Sequence, residues 1–170
     1  MIFNSKCNIG ILGVGNTLLS DEGFGPYFID YLYENCEWSD KIEVTDGGAS
    51  GIMLSPYIES KEYLYIVDVI DIDSTPGDIY VFDESEIRAK DIQSSLSVHK
   101  IGLIEIIELN KINDYKTPKV IEYIGIVPES LEIAEHVSST LKDKTDDILN
   151  ILIKKISLID DGMSHYIRKK

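Results

Sequence analysis

Tyr63-Leu64-Tyr65-Ile66-Val67-Asp68-Val69-Ile70 is the stretch on which the fold turns. Aromatic and β-branched residues dominate it, the types that fit a pleated and covered surface. It is apolar at odd and even positions alike, the pattern of a strand buried on both faces. Asp68 is the exception. A carboxylate inside such a strand is unfavourable unless it is paired or coordinated, so these eight residues supply both the clearest strand and a candidate functional group.

Toward the amino terminus, Asn8 to Val14 is a second apolar run ending in glycines, followed by a polar loop from Gly15 to Gly23. Phe24, Tyr27, Phe28, Tyr31 and Leu32 then recur at helical spacing, with Pro26 tolerable in the first turn. Ile42 to Val44 leads into Asp46-Gly47-Gly48, a strand running onto a glycine turn. Gly51 to Ile58 reads as a short helix capped by Ser50, with Pro56 expected to kink or end it. Beyond the central stretch, Pro76-Gly77-Asp78 makes a turn into a short edge strand, Ile79 to Phe82. The chain is polar from Asp83 to Ser97. His99 to Leu109 is helical in pattern, and Val120 to Val127 is the last strand, stopping at Pro128-Glu129-Ser130. Val137, Leu141, Ile148, Leu149, Leu152 and Ile156 stripe one long amphipathic helix. The polar and basic tail, Asp160 to Lys170, is expected to fray.

Strands alternating with helices, without repeat or linker, predict a single α/β domain over residues 1–159 with a tail at 160–170. Its architecture is a three-layer sandwich around a mostly parallel sheet, with helices on both faces. In such sheets the binding crevice lies outside the carboxyl ends of the strands. The Gly15–Glu22 loop, the Asp46–Gly51 turn and Asp68 all belong on that edge, and His99 joins them if its helix starts there.

The 170 residues suit one core, and 44% apolar with 27% charged residues is ordinary for a globular protein. Thirty acidic residues against sixteen basic ones leave a formal charge of −14. That sign disfavours nucleic acid and anionic lipid surfaces and suits a cation or a basic protein patch. It also serves the plainer purpose of keeping a monomer soluble. Cys7 and Cys36 form no CxxC pattern, which fits a reducing cytoplasm. The segment before Gly15 is too short and interrupted for a signal peptide, and no run approaches the roughly 18 apolar residues of a membrane span.

Gly13-Val14-Gly15 invites a dinucleotide-binding reading, but the third glycine of Gly-x-Gly-x-x-Gly would fall at Leu18. Asp21 and Glu22 also stand where a pyrophosphate needs positive potential. Gly48-Ala49-Ser50-Gly51 misses the nucleophile elbow, which requires glycine where Ile52 stands. The remaining constellation is Glu22, Asp68 and His99. Two carboxylates and an imidazole make a donor set that Zn²⁺ or Ni²⁺ accepts with positions left open. Each has an ordinary alternative as well: Glu22 beside a helix N-terminus, Asp68 in a turn, His99 in a loop.

Five blocks, in order, carry a family resemblance. They are Gly13 to Gly25, Asp46-Gly47-Gly48, Ile66-Val67-Asp68-Val69 with Pro76-Gly77, Ser97 to Leu103, and Gly125 to Leu131. Together they resemble the hydrogenase maturation endopeptidases, the C-terminal processing proteases of nickel–iron hydrogenases. The resemblance implies a twisted five-stranded sheet with helices on both faces. It makes Glu22, Asp68 and His99 the metal ligands, and it implicates the Asp46 turn in activity. The implied substrate is a hydrogenase large-subunit precursor that loses a C-terminal extension after nickel insertion. Two departures are mild: Ser97-Val98 stands where a proline is common before the histidine, and Pro56 interrupts the second helix.

Under this resemblance the nickel belongs to the substrate, and no cofactor is expected to be tightly bound, although zinc or another divalent ion can occupy the same ligands. Glu22, Asp68 and Asp46 are the catalytic candidates, and Gly47 and Gly48 the substrate-binding ones. Either the ion or a carboxylate such as Asp46 activates water. A non-proteolytic, metal-binding partner of a hydrogenase with the same fold is the alternative.

Overall fold

The structure, a computed structural model, describes residues 7–87, 98–159 and 166–168. In chain order the elements are β1 (Ile9–Val14), α1 (Phe24–Asn35), β2 (Cys36–Trp38), β3 (Ile42–Gly48), α2 (Ser55–Glu59), β4 (Tyr63–Val69) and β5 (Ile79–Asp83). There follow α3 (Glu84–Ile87), α4 (Val98–Ile112), β6 (Val120–Ile126), α5 (Ser139–Lys142), α6 (Thr145–Ser157) and β7 (Tyr166–Arg168). Single 3-10 turns, Ser20–Gly23 and Gly51–Leu54, precede α1 and α2.

Five strands form one sheet in the order β3-β1-β4-β6-β5. All pairings are parallel except β5 with β6, so β5 is the edge strand expected from its sequence. β4 sits at the centre, and its residues alternate between two separate cores. Tyr65, Val67 and Val69 pack with Phe24, Phe28 and Leu32 of α1 and Leu149, Leu152 and Ile156 of α6. Leu64 and Ile66 pack on the other face with Tyr57 and Ile58 of α2 and Leu103, Ile106 and Ile107 of α4. This is the three-layer sandwich, and the period of two puts Asp68 on the α2/α4 face.

The first turn of α1 lies directly on the sheet's carboxyl edge. A Cβ on Gly25 would stand 2.2 Å from the carbonyl oxygen of Val14 and 2.8 Å from that of Val67. Only a residue without a side chain lets the helix approach the ends of β1 and β4 so closely.

Several elements differ from the sequence reading. The C-terminal stripe is two helices: Ser138 caps α5, its hydroxyl accepting from Leu141 N–H, and α6 restarts at Thr145, whose hydroxyl donates to the Lys142 carbonyl. Leu141 and Leu149 enter the same core, which made a broken helix read as a continuous one. Pro56 neither kinks nor ends its helix, because it occupies the first turn of α2, where no backbone donor is needed. Ser50 heads the preceding 3-10 turn through its carbonyl, which accepts from Met53 N–H. The glycines after Asp46 lie within β3, where the register with β1 shifts. In the tail, Tyr166–Arg168 pairs antiparallel with β2, a short strand the sequence reading did not pick out. Most of the polar stretch from Asp83 to Ser97 lies outside the described residues.

Candidate active site

The loop after β1 is fixed by an unusual anchor. Asp21 is fully buried, and its carboxylate accepts four hydrogen bonds: from the backbone N–H of Glu129 (2.8 Å), Ser130 (3.1 Å) and Ser138 (2.6 Å) and from the Ser138 hydroxyl (3.0 Å). Backbone bonds extend the seam. Ser20 N–H donates to Ala134, Ala134 N–H to Leu18, and Asp21 N–H to Ser130. Ser20 takes a left-handed conformation (φ 45°) to make this turn, and its hydroxyl donates to the His136 carbonyl. The loop after β1 is thereby bound to the loop after β6.

Glu22, the next residue, is half-buried in the same 3-10 turn. Its carbonyl presses on Gly15, where a Cβ would stand 1.9 Å away. Glu22 therefore sits between the end of β1 and the helix turn that rests on Val67, one residue from Asp68. Asp68 is 1% exposed, and its Oδ1 accepts from Val69 N–H at 2.6 Å. Tyr123, two positions from Asp68's partner Gly125 on β6, is its neighbour on the same face. Burial first, and the Asp68 charge second, hold the Tyr123 phenol protonated far above its ordinary range.

His99 lies in the first turn of α4, and its side chain is not among those described. The direction of α4 can still be read. Lys111 in its last turn pairs with Glu84, which follows the end of β5 opposite Glu122 at the amino end of β6. The helix therefore runs from the carboxyl edge toward the amino edge, with its first turn at the Asp68 end. Among the described residues no group of three potential metal-ligating side chains clusters.

Asp46 pairs with Gly13 and is exposed, its Oδ1 accepting from Gly48 N–H at 2.8 Å. This bond closes the bulge at which Val14 pairs with Gly48 instead of Gly47. Gly48 has φ 47°, a conformation that favours glycine. Gly47 is buried, and a Cβ there would meet Leu12 at 2.9 Å, so its bare Cα answers to packing inside the sheet. Asp46 also lines a 290 Å³ cleft with Thr17, Gly23, Tyr27, His136 and Lys142. The structure thus brings Glu22 and Asp68 to one edge of the sheet and puts Asp46 at the same edge, two strands from Asp68. Sequence reasoning missed the anchoring role of Asp21. The adjacent Asp21-Glu22 pair marks the turn, but nothing local tells which of the two is the anchor.

Comparison with known proteins bears on the fold and the family. A family model described as hydrogenase maturation protease matches residues 26–155. The hydrogenase expression/formation protein HoxM of Azotobacter vinelandii is 31% identical over 125 residues, covering 74% of this chain and 60% of its own length. The chain therefore spans about three fifths of that relative. The hydrogenase 2 maturation protease of Escherichia coli is 30% identical over 123 residues, 72% of this chain and 74% of that protein. Among solved structures, the E. coli hydrogenase maturating endopeptidase HybD superposes with a TM-score of 0.80 at 25% identity, covering 95% of this chain and 98% of that one. With the match running through most of the sheet and its helices, the chain belongs to the hydrogenase maturation protease family.

Proposed function

We propose that the protein is an endopeptidase that removes the C-terminal extension of a nickel-loaded hydrogenase large-subunit precursor. In this reading the nickel arrives with the substrate, and Glu22, Asp68 and His99 supply oxygen and nitrogen donors to positions the precursor leaves open. The observation that carries it is the convergence at one sheet edge. Asp68 is buried there, the Glu22 turn abuts the end of its strand, and the first turn of α4 starts on the face to which Asp68 points. Membership of the maturation protease family supports the assignment of substrate.

The donor set gives the reaction its order. Carboxylates and imidazole bind a divalent ion far better than an empty precursor pocket, so a loaded precursor is held and an unloaded one is released. The scissile peptide then lies along the carboxyl edge, where Gly48 presents backbone without a side chain. Asp46 takes a proton from a water as that water's oxygen attacks the scissile carbonyl carbon. The carbon–nitrogen bond breaks, and the proton passes to the departing amine. The resident protein needs no metal of its own for this sequence.

Nickel-loaded and nickel-free precursor, each incubated with the protein and weighed by mass spectrometry, test the proposal. The expected result is loss of a C-terminal peptide from the loaded form alone. An intact loaded precursor overturns the reading, and equal cleavage of both forms overturns the nickel-sensing part.

A further inference from the structure

Large apolar side chains stand in solvent beside the anchored seam. Leu19 and Ala134 form a parallel bridge between the loops after β1 and β6. The residues immediately before them, Leu18 and Ile133, are 56% and 89% exposed, and Leu131 just upstream is 38% exposed. Single exposed apolar residues need no explanation, but neighbouring ones on two hydrogen-bonded segments form a patch that does. The segment is not loose. Asp21 holds Glu129 and Ser130 at one end of it and Ser138 at the other, so Leu131 and Ile133 are presented on a fixed frame. Ordering such a surface in advance removes an entropic cost that binding would otherwise carry.

We infer that Leu18, Leu131 and Ile133 form a docking edge for an apolar segment of the precursor protein flanked by lysine or arginine. This rests on the reading of the protein as a precursor-processing endopeptidase and names how that precursor is held. Two features select the occupant. The patch adjoins the proposed site, since Leu18 and Glu22 belong to one loop four residues apart, so a polypeptide held at the sheet edge has the patch within reach. Its charged setting is mainly acidic: Glu129, Glu132 and Glu135 are exposed and alternate with the apolar residues, against the single lysine Lys142 in the adjoining cleft, on a chain of formal charge −14. An apolar centre with an acidic rim complements an apolar segment with a basic rim, the rim acting mainly on encounter and register. A second copy of this acidic chain would bring like charges together.

The test compares wild-type protein, the double variant Leu18→Ser/Ile133→Ser and the single variant Glu132→Lys on nickel-loaded precursor over a range of concentrations. The double variant should raise KM about tenfold with kcat within about twofold, as expected where apolar anchors carry binding and not chemistry. Glu132→Lys should raise KM as well and weaken its dependence on salt. All substituted positions are exposed, and far-UV circular dichroism should be unchanged. Wild-type cleavage with an unaltered KM in both variants overturns the docking edge while leaving the endopeptidase reading intact. A wild type that neither binds nor cleaves the precursor overturns both. A wild-type dimer at micromolar concentration that the double variant dissociates assigns the patch to a second copy and overturns the proposal.

Discussion

Asp21 and Glu22 are neighbours with opposite duties. Asp21→Ala would leave three backbone N–H groups and a hydroxyl without their acceptor, and each bond to a charged group is worth about 1.5–3 kcal/mol. With partial relaxation and water entry, urea unfolding should show a loss of roughly 2–4 kcal/mol, and the amides of 129–138 should exchange faster. Asp46→Asn should behave in the opposite way. Asparagine keeps the acceptor for Gly48 N–H, so stability should stay within about 0.5 kcal/mol, whereas precursor cleavage should fall roughly 10²-fold if the carboxylate is the base. Binding and rate measured on one Asp46→Asn preparation separate the two roles, and an unchanged rate reduces Asp46 to a turn residue. Asp68→Asn keeps the bond from Val69 N–H but removes the charge proposed to meet nickel. It should abolish processing with the fold retained, and normal processing by this variant would show the trio to be misassigned. Asp68 was legible in the sequence because one charge interrupts an apolar strand. Asp21 was not, because its partners lie more than a hundred residues away and no local pattern encodes them.

Among the elements, the β2–β7 ribbon shows most clearly what periodicity cannot reveal. Strands of three residues are too short to display alternation, and beside its backbone pairing this one carries a side-chain clip. Arg168 donates to both oxygens of Asp146 in α6 and to the Tyr31 hydroxyl of α1, which itself donates to Asp146 at 2.6 Å. The Tyr31 bond first, and Arg168 second, hold the Asp146 carboxyl below its usual range. A group whose folded pKa is depressed contributes stability above its unfolded value and loses it as pH falls through the folded one. The clip should therefore hold at neutral pH and release only on acidification below the ordinary aspartate range of about 3.9. Following the Asp146 carboxyl and the amides of 166–168 by NMR from pH 7 to 2 checks this. Tyr31→Phe should move the midpoint upward, and a midpoint indifferent to that change removes the tyrosine from the clip. The split of the C-terminal stripe into α5 and α6 escaped the sequence for a related reason: helical phase survives a two-residue break when both pieces face one core.

For the molecule as a whole, the sheet, its layers and its parallel sense were written in unbroken apolar runs that take turns with helical patterns, and the edge position of β5 followed from its shortness. The bulge that carries Asp46 was not legible, since a glycine pair reads equally as a turn. If nickel enters only with the precursor, protein dialysed against chelator should retain well under one metal ion per chain by elemental analysis. One firmly held zinc would make it a self-contained metalloprotease. The strand order also implies a sequence of events during synthesis. β1 has β3 on one side and β4 on the other, all three from the first seventy residues, and they can pair while the rest is still being made. β5 has only β6 beside it, so it must wait some forty residues for its seat. The turn bearing Glu22 waits far longer, because Ser138 has to leave the ribosome before Asp21 finds its last partner. On the endopeptidase reading, a chain that stops short of Ser138 should therefore lack the anchored turn and fail to cut the precursor.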